Sequence, residues 1–236
     1  MQKLKFPTFL LALALRVASV QAQSVENHSF TNFGGSASLS IPDGNTAGAS
    51  DDRIVVSAIS SITSIAVDLV TTDEFNGDLY GYLRHSSGFS VLLNRPGRTT
   101  ANNFGYADSG FNVQFTDTAG NGDIHLYQAV VTPASGAPLT GVWAPDGRNA
   151  DPDLVVDTTP RNSMLNSFNG LDANGTWTLF LMDDSSGGTS TLNSWGLEIT
   201  GVPEPRACVL ATVLGVIAFG VKRARMRMRR AKVRLY

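Results

Sequence analysis

Residues 65–69, Ile-Ala-Val-Asp-Leu, carry a bulky apolar side chain at every second position. A period of two buries one face of a β-strand and leaves the other to solvent. Residues 177–182, Trp-Thr-Leu-Phe-Leu-Met, become almost continuously apolar, the pattern of a strand covered on both faces. A last strand carries Leu192, then Trp195, Leu197 and Ile199 on one side with Glu198 and Thr200 on the other. Shorter strands are predicted over 37–41, 54–58, 78–83, 90–93 and 112–115. Turn formers punctuate them: Pro42-Asp43-Gly44, Asn76-Gly77-Asp78, Arg95-Pro96-Gly97, Asn121-Gly122-Asp123 and Ser186-Gly187-Gly188. No run of ten or more residues here has a helical period. The pattern predicts an all-β fold, an antiparallel sandwich or barrel.

Both ends break the pattern. Lys3 and Lys5 precede an apolar run over 6–15, and Val20-Gln21-Ala22 offers the small residues read by a signal peptidase. Residues 1–22 therefore read as a signal peptide cleaved after Ala22. Residues 23–35 read as an N-terminal linker and 36–201 as the folded domain. At the other end, Pro203-Glu204-Pro205 is followed by Arg206, an apolar run over 207–221 and a cluster of eight Lys and Arg over 222–234. An apolar run closed by basic residues is a stop-transfer pattern that keeps the cluster cytoplasmic. The run is shorter than the ~17–25 residues of an ordinary membrane-spanning helix.

Composition sharpens this picture. Residues 23–203 hold six Arg against 19 Asp and Glu, a net charge of −13 hidden behind an overall −2. Such a domain repels phosphates, which argues against nucleic-acid binding and is compatible with bound divalent cations. The one cysteine, Cys208, lies in the C-terminal apolar run, so the domain has neither an internal disulfide nor a thiol for catalysis.

The order tripeptide, apolar run and arginine cluster over 202–236 resembles the PEP-CTERM sorting signal of exopolysaccharide-producing bacteria. That resemblance implies recognition by an exosortase, a membrane-embedded cysteine protease, with cleavage near Pro203, Glu204 and Pro205. The C-terminal helix would hold the chain transiently in the inner membrane. The mature protein would then be released from, or attached at, the cell surface.

A second resemblance covers 36–200. Ile41-Pro42-Asp43, the strand 62–69, Asn76-Gly77-Asp78-Leu79 and Leu92-Leu93-Asn94-Arg95-Pro96-Gly97 come first. Ser109-Gly110-Phe111-Asn112 and Pro138-Leu139-Thr140-Gly141-Val142-Trp143-Ala144-Pro145 follow. The most specific block runs from Asn174-Gly175-Thr176-Trp177-Thr178-Leu179 through Asp183-Asp184 to Ser194-Trp195-Gly196-Leu197. Together they resemble the P domain (P/Homo B domain) of the subtilisin-like proprotein convertases. Residues 148–164 fit poorly and read as an enlarged loop, and the histidine usual near Phe75 is absent. The resemblance implies a jelly-roll-like sandwich that sits beside a protease and cuts no peptide bond itself.

The residues agree on the absence of chemistry. His28, His85 and His125 read as surface or strand histidines, and no nucleophile elbow surrounds any serine. They form no zinc signature either. Asp78, Asp108, Asp172, Asp183 and Asp184 all stand in or beside loops, so calcium is the expected ion if they converge, since it takes six to eight oxygens. Solvated turn-forming aspartates are the alternative. Trp177 and Trp195 keep phase with Leu179 and Leu197 and belong to the core, which leaves Trp143 as the one candidate exposed ligand platform. Three functions fit: a structural or binding module of the cell surface or matrix, an accessory or relic domain of a secreted serine protease, and an exopolysaccharide-binding module.

Overall fold

A computed structural model describes residues 23–72 and 74–204. Six strands make the first sheet: β1 (Ser24–Phe30), β2 (Leu39–Ile41), β4 (Ile59–Thr72), β7 (Phe111–Phe115), β8 (Leu139–Trp143) and β10 (Ser190–Pro203). Four make the second: β3 (Ala49–Val55), β5 (Leu79–His85), β6 (Gly88–Asn94) and β9 (Gly175–Asp183). The first has the order β1-β10-β4-β7-β8, with β2 also on β10, and the second the order β3-β9-β5-β6.

Alternation builds the layers. In β4, Ile65, Val67, Leu69 and Thr71 are buried while Asp68 and Thr72 face solvent. In β9, Trp177, Leu179 and Leu181 point inward. They join Leu79 and Leu83 of their own sheet and Val67, Phe115, Trp195 and Leu197 of the other in one apolar core. Burying such a side chain contributes roughly 1.5–3 kcal/mol, so this layer carries the stability of a domain without disulfides.

Three expectations change. The segment expected as a linker contains β1, which pairs residue for residue with β10 from Ser24↔Gly201 to Phe30↔Trp195. Among the ten described strands the pairing is antiparallel except between β7 and β8, which run parallel because a long crossover separates them. The third strand starts earlier than expected, at Ala49, and takes Asp51, Asp52 and Arg53 onto its pleat. The loop expected over 148–164 does form, as part of a longer irregular stretch that follows β8, and it covers an edge. Asp146 and Gly147 donate to the Leu92 and Val91 carbonyls, and Val91 donates to Ser163, closing the free side of β6.

The chain enters and leaves at the same end. Ser24 lies opposite Gly201, and the Glu204 amide donates to the Ala58 carbonyl just before β4. From there β4 runs 14 residues, roughly 45 Å of extended chain, to the far end of the sandwich. Among the described residues no helix is long and apolar enough to cross a membrane. Ala22, Pro205, the signal segment 1–22 and the apolar run and basic cluster lie outside the described residues, whereas Pro203 closes β10 and Glu204 is exposed beyond it.

Candidate functional site

Three turns meet at the end opposite Ser24 and Glu204. The register Leu79↔Asp183 and Tyr80↔Asn94 places the turn Asn76–Asp78 beside Arg95-Pro96-Gly97 and Asp183-Asp184-Ser185. Arg95, with its backbone in the left-handed region at φ 50°, sends its guanidinium into the junction. Its Nε donates to the Gly77 carbonyl at 3.0 Å and its Nη1 to Asp184 Oδ2 at 2.6 Å. Its Nη2 donates to Asp78 Oδ1 at 3.3 Å and to Ser185 Oγ at 3.0 Å. Burial raises the Asp78 carboxyl above its usual range, with Arg95 pulling it back and Asp183 pushing it further up. Burial also raises Asp183 and Asp184.

The same turn is pinned from the side. Asn76, fully buried, accepts from the Gly110 amide and donates to the Gly110 carbonyl and the Tyr127 hydroxyl. Tyr127 in turn donates to Asp108 at 2.7 Å, as does Gln128 at 2.6 Å. Against this braced wall lies an open groove of about 500 Å³. Phe75, Phe104 and Tyr106 form its apolar lining, and Asp78, Ser185 and Ser186 its polar lining.

The five aspartates proposed as calcium ligands are therefore divided. Asp78, Asp183 and Asp184 come together, but a guanidinium already pairs with Asp78 and Asp184, and the Ser190 hydroxyl and Ser185 amide hold Asp183. Asp108 is held by Tyr127 and Gln128. Asp172 sits beside His85 at the other end of β5, where bonds from the Asn174 amide and side chain hold its carboxyl below the usual range. Among the described residues no three His, Cys, Asp or Glu side chains are disposed to hold a metal. Trp143 is also corrected: it is fully buried and donates to the Thr140 carbonyl. Its parallel pairing with Phe115 turns the indole inward, so it offers no platform to a sugar.

The sequence reading missed a second buried network. His125 and Asp146 are both 0% exposed, with His125 Nδ1 2.7 Å from Asp146 Oδ2 and Nε2 2.8 Å from the Arg98 carbonyl. Both partners are acceptors, so both ring nitrogens donate and the ring is an imidazolium. Arg148 adds bonds to Asp146 Oδ1 at 3.1 Å and Asp123 Oδ2 at 2.8 Å. His85 is arranged alike, its nitrogens on the Thr176 and Asp172 carbonyls and its ring stacked on Trp177 at 4.1 Å. Both nitrogens of each ring are engaged by protein acceptors.

Burial alone would lower the His125 pKa, but the bond and charge of Asp146 and the Arg98 carbonyl outweigh it and raise the pKa above 6.5. The folded state then binds this proton more tightly than the unfolded chain does. Its contribution to stability is complete below pH 6.5 and is lost as pH rises through the higher folded value. Urea midpoints taken from pH 6 upward should fall across that window. A flat profile there would contradict the imidazolium.

No family model and no curated protein matches the chain. Solved structures similar to it include the serine protease of Aeromonas sobria in complex with its chaperone, at 16% identity and a TM-score of 0.41. Another is the same protease alone, at 17% identity and again 0.41. The similarity covers 77% and 76% of this chain but only 27% of the protease chain in each.

Proposed function

We propose that this chain is an exported, non-catalytic β-sandwich module of the P-domain type, held by its C-terminal side at the cell envelope and binding through its opposite end. The observation that carries the reading is the polarity of the sandwich. Ser24, Gly201 and Glu204 gather at one end, and the Arg95 junction with its groove stands at the other. This polarity supports a groove that faces away from a membrane holding residues 202–236. The repeated crossing of the chain between sheets, from β3 to β4, to β5 and β6, to β7 and β8, to β9 and to β10, supports a jelly-roll-like build. His85 and His125, with every ring nitrogen engaged, support a role that needs no proton transfer.

Mass spectrometry of the mature protein from its host tests the delivery. The expected N-terminus is Gln23, and the expected C-terminus falls near Pro203-Glu204-Pro205 with the basic tail removed. The same preparation should leave unfolded casein intact. An intact tail on protein recovered from the cytoplasm would overturn the reading, as would casein turnover abolished by one serine substitution.

A further inference from the structure

We infer that the groove bounded by Phe75, Phe104 and Tyr106 is a docking site for an extended, basic segment of a partner protein, taking an arginine or lysine side chain against its aromatic rings. This deepens the reading of the module as a binding unit and does not depend on how the chain is processed.

The first ground is the state of Phe104. It is 80% exposed, yet the loop that carries it is tightly held. Asn102 accepts from the Phe104 amide and donates to the Gly105 carbonyl at 2.8 Å. Tyr106 donates its amide to the Pro96 carbonyl, and its own carbonyl accepts from Gly77 at 2.8 Å. Gly105 and Gly77 approach so closely that a Cβ on either would meet the other strand of backbone within 2.8 Å. A phenyl ring kept in water by a rigid loop is preorganised for contact, and so adds affinity without an ordering cost.

Charge identifies the occupant. Asp78 and Asp184 bond one guanidinium with Asp153 3.7 Å from it, while the exposed Glu74 adds negative charge beside Phe75. The surrounding domain carries −13. Aromatic faces on a strongly acidic domain, with Asp78 in their lining, attract ammonium and guanidinium groups. A saccharide would gain nothing from this charge, and a second copy of an equally acidic module would be repelled.

The full chain should be titrated with fluorescent heptapeptides of Ser and Gly carrying a central arginine or lysine, and with matched peptides carrying glutamate or norleucine there. The basic peptides should bind and the others should not. Phe104→Ala, at a position too exposed to affect folding, should weaken binding about tenfold or more, and Phe104→Tyr should retain it. Equal binding by Phe104→Ala would mean diffuse attraction to an acidic surface and would overturn the inference. So would binding of the norleucine peptide alone, or of oligosaccharides in place of basic peptides. Those results leave the export and processing tests untouched, so the two readings fail separately.

Discussion

Asp146→Ala is expected to lower the unfolding free energy by about 3–5 kcal/mol, the cost of removing one partner from a buried charge network. Asp146 has no exposed surface and satisfies four donors: His125 Nδ1, Arg148 Nη1, and the amides of Asn94 and Arg148. Alanine removes the carboxylate that all four share. His125 can respond by giving up its proton, but Arg148 cannot, because a guanidinium stays charged at any ordinary pH. Its Nε is already buried without a partner. Asp146→Asn should cost less, about 1–3 kcal/mol, since the carboxamide keeps the volume and one acceptor, and neutral His125 can accept from the amide. That variant should also lose the stability change above pH 6.5 expected of the parent. Urea unfolding can be followed by fluorescence, because Trp143, Trp177 and Trp195 all lie in the core. A loss below about 1 kcal/mol for the alanine variant would mean that water or relaxation replaces the carboxylate.

This network was invisible in the sequence for a physical reason. Its partners stand on 3-10 and loop segments with no period, and Asp146, Arg148 and Arg161 fall in the stretch that matched no strand pattern. The sandwich itself was legible where one face is apolar: residues 65–69 fall inside β4 and residues 177–182 inside β9, as the alternation requires. β1 escaped because Ser24-Val25-Glu26-Asn27-His28-Ser29-Phe30 lies at a sheet edge and alternates only between half-buried and exposed. Its hydrogen-bonding partner lies 165 to 177 residues later, where no local pattern can point. Trp143 was misread because its strand is fixed by a parallel neighbour, Phe115, across a crossover, while its own sequence is rich in turn formers. Of the five loop aspartates, sequence order gave no way to separate Asp172 from the others. Strand register alone sends it to the far end of β5.

Arg95→Met should produce a loss of similar size, about 3–5 kcal/mol, with different local consequences. Methionine keeps the length of the side chain and must take the same left-handed backbone, so the comparison isolates the charge and the forked donors. Without the guanidinium, Asp78 and Asp184 lose their cation and the Gly77 carbonyl and Ser185 hydroxyl lose their donor. Arg95→Lys should recover only part of the loss, because one ammonium cannot reproduce a fork that spans three turns. Adding Asp78→Asn and Asp184→Asn to Arg95→Met should restore stability relative to the single variant, since the remaining cost is the unpaired charge those changes remove. Hydrogen exchange separates this from general loosening. The Gly77 and Tyr106 amides, which tie the Asn76–Asp78 turn and the Phe104 loop into one wall, should lose protection before the β4 and β9 amides do. Uniform loss of protection across the sandwich would assign Arg95 to the core as a whole. Selective loss ties the guanidinium to the groove wall, and peptide binding should then fall in Arg95→Met although Phe104 is intact.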